Sequence, residues 1–283
     1  MTLTAKTIQI FLPSGDPRGL RIAEITTRIV QVIEVPRTRL DEFMKMPESA
    51  QVAIYFLCGT SDSGDGDQVY IGQSGDVRAR LASHNGKKDF WQRAFVLVSR
   101  TNSLTQTHAL FLEWHCLKLA AEAARYTVEN GNAGSKPHTP APLEADCLEI
   151  FETGRILLST LGCPVFDALG GGSNTTAEET FFCTAAGSNA RGLFTDEGFV
   201  VLKGSIGRSK SSASANVKAA MRLRDKLIEA GVLKVDGAKL VFENDQLFGS
   251  PSMASTVVLG RSSNGWTEWK LKDGRTLDEV KRG

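Results

Sequence analysis

Two short apolar segments, Val52–Cys58 and Gln68–Gly72, each carry a single tyrosine, and a capped helical segment follows directly after the second. Nothing else in the 283 residues limits the fold as tightly. Val52 to Cys58 reads as a continuous apolar strand, and the polar loop Gly59 to Asp67 leads into the next strand. Asp76 stands where an N-cap belongs, Val77 and Leu81 mark the inward stripe of a helix running to His84, and Asn85-Gly86 is a stop signal. Ala94–Ser99 reads as a third strand, and Leu104 to about Tyr126 as a long helix rich in Ala and Leu. The order strand, strand, helix, strand, helix predicts an α+β layer, a small antiparallel sheet flanked by helices, over residues 51–127.

Three further segments flank this unit. Residues 1–50 read as a hairpin and helix extension: strands at Thr7–Leu12 and Leu20–Ile25 around the turn Pro13–Pro17, then a helix over Thr38–Lys45. Residues 128–177 form a connector with one helix, Cys147–Leu161, and the glycine-rich linker Gly170-Gly171-Gly172-Ser173-Asn174. Residues 178–283 make a second, smaller α+β domain, with strands at Phe181–Thr184, Phe199–Leu202 and Thr256–Leu259, a helix over Ala213–Ala230, and a hairpin turn at Asp273-Gly274.

Composition bounds the partners. The net charge of +1 excludes a polybasic coat, but it averages opposed segments: 128–177 carry two basic residues against six acidic, and 178–283 carry sixteen against thirteen. From Lys203 to Lys226 stand seven basic residues and one acid, Asp225. Arg208, Lys210, Lys218 and Arg222 in this run, with Arg78, Lys87 and Lys88 nearer the tyrosines, are the candidate contacts to a nucleic-acid backbone, while an ordinary solvated helix face explains the run equally well. Five scattered cysteines without a CxxC pair support neither a zinc ribbon nor a disulfide framework. Without a signal-like start or an apolar run long enough for a bilayer, a cytoplasmic protein with no membrane partner is expected. The oligomeric state is left open. The loop at Asp62–Asp67 fails the calcium-loop register, and Gly204–Ser209 lacks phosphate-loop spacing.

The chemistry concentrates between Ala53 and Glu113. Alternation puts Tyr55 on one strand face with Ala53 and Leu57, and Tyr70 with Gln68 and Gly72; a hairpin brings both phenols to one site if the register allows. Arg80 and His84 are one helical turn apart. Glu113 shares its helix face with Ala109, Leu110, Cys116, Leu117 and Ala120, and a carboxylate there needs a cation or strong donors. One carboxylate plus waters is a usual way to hold Mg²⁺. Phosphodiester hydrolysis uses such a set: a metal to polarise the phosphate, an Arg to neutralise charge, and a Tyr or His to move a proton. Singly, each residue also has a plain structural use, as a cross-strand packing ring, a solvated helix face or a salt-bridged acid.

Ala53-Ile54-Tyr55 and Tyr70-Ile71-Gly72, followed by Gln73 to His84, resemble the GIY-YIG nuclease family over residues 51–127. The resemblance implies a metal-dependent endonuclease acting on DNA with Mg²⁺ or Mn²⁺. It implies Tyr70 as general base, Tyr55 as its supporting phenol, Arg80 as phosphate-stabilising arginine, His84 as the histidine one turn later, and Glu113 as metal ligand. Ala53 replaces the first glycine of the motif, and Asn130 or Asn132 are candidates for the family's asparagine. The segment Ser250 to Lys270 resembles an accessory domain of unsettled function found after such modules, in which Trp266 and Trp269 serve the core or stack on bases. The alternatives are a catalytically silent nucleic-acid-binding module, and a structure-specific repair nuclease in place of a restriction-type cutter.

Overall fold

The computed structural model describes residues 4–60, 66–170, 179–210 and 217–283. The chain divides into two compact units, Met1–Asp167 and Ala168–Gly283, and each mixes helices with sheet, an α+β architecture. Most of the expected glycine-rich linker, the start of the helix expected at Ala213 and part of the 59–67 loop lie outside the described residues.

The first unit runs β1 (Ile8–Phe11), β2 (Arg21–Ile25), β3 (Val30–Pro36), a one-turn α1 (Leu40–Phe43), β4 (Ala53–Thr60), β5 (Asp67–Ser74), α2 (Val77–Lys87), β6 (Trp91–Ser99), α3 (Gln106–Ala123), β7 (Thr127–Val128) and α4 (Ala141–Thr160). Its single sheet has the order β1-β2-β3-β6-β4-β5-β7. β3 escaped the sequence reading. It is buried along almost its whole length, Gln31 and Glu34 included, so polar and apolar residues do not alternate cleanly along it. It pairs with β6 from Val30 opposite Ser99 to Pro36 opposite Arg93, which makes residues 1–50 part of the same sheet as the tyrosine strands. The sheet is therefore larger than expected, and mixed, because β7 runs parallel to β5.

Helices cover both faces. Ile54, Phe56, Val69 and Ile71 pack with Leu112 and Cys116 of α3 and Phe151 and Leu158 of α4. On the opposite face Ala53, Tyr55 and Leu57 pack with Val77 and Leu81 of α2 and with Phe43 and Trp91. Glu34 of β3 is buried between Arg21 and Arg93, the latter at 3.1 Å; burial raises its carboxyl even so, and the two guanidiniums compensate the charge. α2 overruns Asn85-Gly86 because Arg37 secures its last turn, donating to Asn85 Oδ1 at 2.9 Å and to the Asn85 carbonyl at 2.8 Å. α4 starts at Ala141, behind Pro140, earlier than the expected Cys147.

The second unit contains β8 (Phe181–Cys183), β9 (Ala190–Thr195), β10 (Gly198–Val201), β11 (Ile206–Arg208), α5 (Lys218–Glu229), β12 (Leu233–Asp236), β13 (Lys239–Phe242), β14 (Gln246–Phe248), α6 (Pro251–Leu259), α7 (Gly265–Glu268) and α8 (Leu277–Lys281). Two antiparallel sheets, β14-β10-β9-β8 and β11-β13-β12, enclose a core of Phe181, Phe199, Phe242, Phe248 and Trp269. Thr256–Leu259, expected as a strand, is the second half of α6. Ser250 caps that helix through the Met253 N–H at 3.1 Å, Pro251 occupies its first turn and Gly260 ends it at φ +65°. The Asp273-Gly274 turn joins the bridge between Lys270 and Thr276, with Gly274 at φ +93°.

Candidate active site

β4 pairs with β5 so that Tyr55 faces Gly72 and Leu57 faces Tyr70, which brings both tyrosines to the α2 side of the sheet. Gly72 makes room for this: a Cβ there would lie 2.5 Å from Tyr55 Cζ. Ala53, fully buried opposite Ser74, takes no positive φ, so the missing glycine of the motif costs nothing at that position.

α2 brings the cationic residues. Asp76 accepts from the Ala79 N–H at 3.3 Å, and Val77 and Leu81 are buried beneath, so Arg80 and His84 stand on the face toward the phenols. Arg80 Nε donates to the Tyr55 hydroxyl at 3.3 Å, and that hydroxyl lies 2.9 Å from His84 Nε2. The Tyr55 hydroxyl thus bridges Arg80 and His84. Burial lowers His84 to about 4, helped by the charges of Arg80, Lys88 and Lys87, so it is a neutral acceptor near pH 7. Burial pushes the Tyr55 phenol well above its ordinary value. Tyr70 is half-buried, its ring 6.2 Å from that of Tyr55 and 5.0 Å from that of His84, with Lys88 Nζ 4.4 Å over its face.

The lowered His84 gives a pH prediction. The unfolded chain binds the proton first, so this contribution to stability is complete above about pH 6.5 and is lost as pH falls toward 4, about 3 kcal/mol in all. Urea unfolding across that window should show a steeper loss of stability in the wild type than in His84→Gln.

Glu113 approaches from α3, at the outer edge of β5. The outward backbone groups of that strand are met in turn: Val69 C=O by the Glu129 N–H at 2.8 Å, Ile71 N–H and C=O by the Asn130 amide at 2.9 and 2.7 Å, and Gln73 N–H by the Glu113 carboxylate. Gln106, at the start of α3, holds the Gln73 side chain at 2.6 Å. Burial raises the Glu113 carboxyl, while the Gln73 N–H and the positive Arg80 oppose the shift. No three His, Cys, Asp or Glu side chains among the described residues gather into a metal cage. A lone half-buried carboxylate is the donor type that a hydrated Mg²⁺ or Mn²⁺ uses and is not the ligand set of a zinc site.

Tyr55, Tyr70, Arg80, His84 and Lys88 thus converge, with Glu113 close enough to feel the Arg80 charge. Arg78 does not join them, since its Nε donates to Ser49 Oγ at 3.0 Å. Lys87 is exposed in the last turn of α2. Asn130 clasps the strand bearing Tyr70, whereas Asn132 lines a groove with Trp114 and Lys118. The roles of Gly72 and of the Gln73 backbone escaped the sequence reading; the Tyr-Ile-Gly triplet was the available signal for the first.

In the second unit Lys218, Arg222 and Lys226 are exposed on α5 one turn apart, with Asp225 and Glu229 exposed beside them. Arg224, counted in the basic run, is buried and donates to the Arg208 carbonyl, so it adds nothing to the surface. Arg208 is half-buried opposite Lys239, and Lys210 is exposed. Trp269 is buried with its Nε1 on the Pro251 carbonyl at 3.1 Å, and Trp266 carries the Arg282 guanidinium 3.4 Å over its ring, so neither offers a bare face to a base.

Among the described residues no helix is long and apolar enough to cross a membrane. No curated protein and no solved structure matches the chain. Residues 181–281 match the family model described as a domain of unknown function, DUF4357.

Proposed function

We propose that the first unit is a GIY-YIG-type endonuclease that hydrolyses DNA phosphodiester bonds with one Mg²⁺ or Mn²⁺ held at Glu113. Arg80, hydrogen-bonded to the Tyr55 hydroxyl beside the half-buried Tyr70, is the observation that carries this reading. A divalent ion held at Glu113 would supply Lewis acidity to the phosphate. Arg80 neutralises charge developing on the phosphate, and its hydrogen bond to Tyr55 aims it. Tyr70, the phenol with solvent access, takes the proton of the attacking water while its own proton passes to the neighbouring neutral His84, whose ring lies 5.0 Å away. Tyr55, fully buried and hydrogen-bonded to both His84 and Arg80, positions Arg80 and does not reach the attacking water.

This division of labour separates the two phenols. Tyr70→Phe should slow single-turnover cleavage by about 10²–10⁴-fold with DNA affinity unchanged, and Tyr55→Phe by about tenfold. Plasmid, flap and single-stranded substrates assayed with Mg²⁺ and Mn²⁺ test the activity and show whether intact duplex or branched DNA is preferred. A wild type that cuts none of them with either metal yields the assignment to a silent binding module.

The second unit is assigned backbone contacts through Lys218 and Arg222, with Arg208 and Lys210 nearby in sequence. Changing Lys218 and Arg222 to Gln should lower the slope of log affinity against log salt by about 2 for duplex DNA. An unchanged slope removes α5 from the interface.

A further inference from the structure

The buried face of β4 carries a feature unrelated to the tyrosine site. Cys58 Sγ and Cys163 Sγ lie 3.1 Å apart although 105 residues separate them. All five cysteines are free, and among the described residues no other two thiols touch. Both partners sit where regular backbone gives way. The register of β4 on β6 shifts between Cys58 and Gly59. Cys163 lies in the turn after α4, between Gly162 at φ +89° and Pro164, with its N–H on the Leu158 carbonyl at 2.8 Å. Such positions take up the few tenths of an ångström per residue needed to close an S–S bond of about 2.05 Å.

We infer that Cys58 and Cys163 form an oxidation-sensitive pair, which peroxide converts into a disulfide tying β4 to the turn after α4. Cys58, 9 % exposed against 1 % for Cys163, meets the oxidant first. Its sulfur attacks one peroxide oxygen and the O–O bond breaks, giving a sulfenic acid and, with the thiol proton, one water. The Cys163 sulfur then attacks the Cys58 sulfur, the S–O bond breaks, and the hydroxyl leaves with the Cys163 proton as a second water. Two thiols are oxidised to one disulfide and one hydrogen peroxide is reduced to two waters. Burial keeps Cys58 protonated, so the reaction is slow and is read after hours.

The test uses the full wild-type chain, treated with hydrogen peroxide, quenched, denatured, alkylated and digested without reductant for mass spectrometry. The expected product is a peptide containing Cys58 joined to one containing Cys163, with Cys116, Cys147 and Cys183 alkylated. The oxidised chain should melt on the order of 10 °C higher, because the bond closes a loop of about 100 residues, and dithiothreitol should reverse the shift. Alkylation at all five cysteines, sulfinic acid at Cys58 with Cys163 still free, or a link between two chains would overturn the inference. None of these readouts depends on nuclease activity.

Discussion

Glu113→Gln should abolish metal-dependent cleavage, with single-turnover rates falling by about 10³-fold or more at any Mg²⁺ concentration. The substitution is nearly isosteric, and the Gln amide oxygen keeps an acceptor for the Gln73 N–H, so the edge of β5 stays intact. Thermal stability should hold or rise slightly, because burial already disfavours the charged carboxylate. This combination, a lost reaction on an unperturbed fold, distinguishes a metal ligand from a structural acid. A variant that keeps more than a tenth of wild-type cleavage would exclude Glu113 as the metal ligand. One that loses its fold would show the carboxylate to be structural.

Gly72→Val should be the most damaging single change to the architecture of the site. The position is buried, opposite Tyr55, and any Cβ would fall on the phenol ring and its hydroxyl. Either the ring leaves, breaking the Arg80–Tyr55–His84 chain, or β5 moves away from β4. Overpacking of this kind costs about 1–3 kcal/mol, which lowers the melting temperature by several degrees in a unit of this size. Cleavage should fall by about 10²-fold or more, since Arg80 loses its aim. A melting curve and a rate measured on the same preparation check both parts. Near wild-type values in both would mean that Tyr55 does not need its present place.

How much of this was legible depended on the range of the signals. The α2 cap at Asp76, the Val77 and Leu81 stripe and the Arg80/His84 pairing are local, and each stands where the sequence placed it. The Tyr55–Gly72 register is not local; strand period alone left it open, and the turn joining the strands carries no two-residue hairpin signature. β3 was invisible for a related reason: a strand buried on both faces lacks alternation, and its partner β6 lies some 60 residues away. Thr256–Leu259 failed through ambiguity. A short apolar run of β-branched residues fits a strand or a buried helix, and the deciding pair, Ser250 and Pro251, stood one turn upstream. Arg224 shows the limit of counting charges, because a cation in a basic run can face the core as well as solvent.

The side-chain closure of the β5 edge reaches beyond catalysis. A strand with open amides and carbonyls is a template for any passing extended chain, and β7 covers it only at Gln68 and Val69. Asn130 and Glu113 close the next two openings, as a pair of backbone-mimicking stoppers. Asn130→Ala therefore bares a hydrogen-bonding site on a strand that remains otherwise ordered. Its first symptom should be self-association at high protein concentration, before any change in the chemistry at Tyr70.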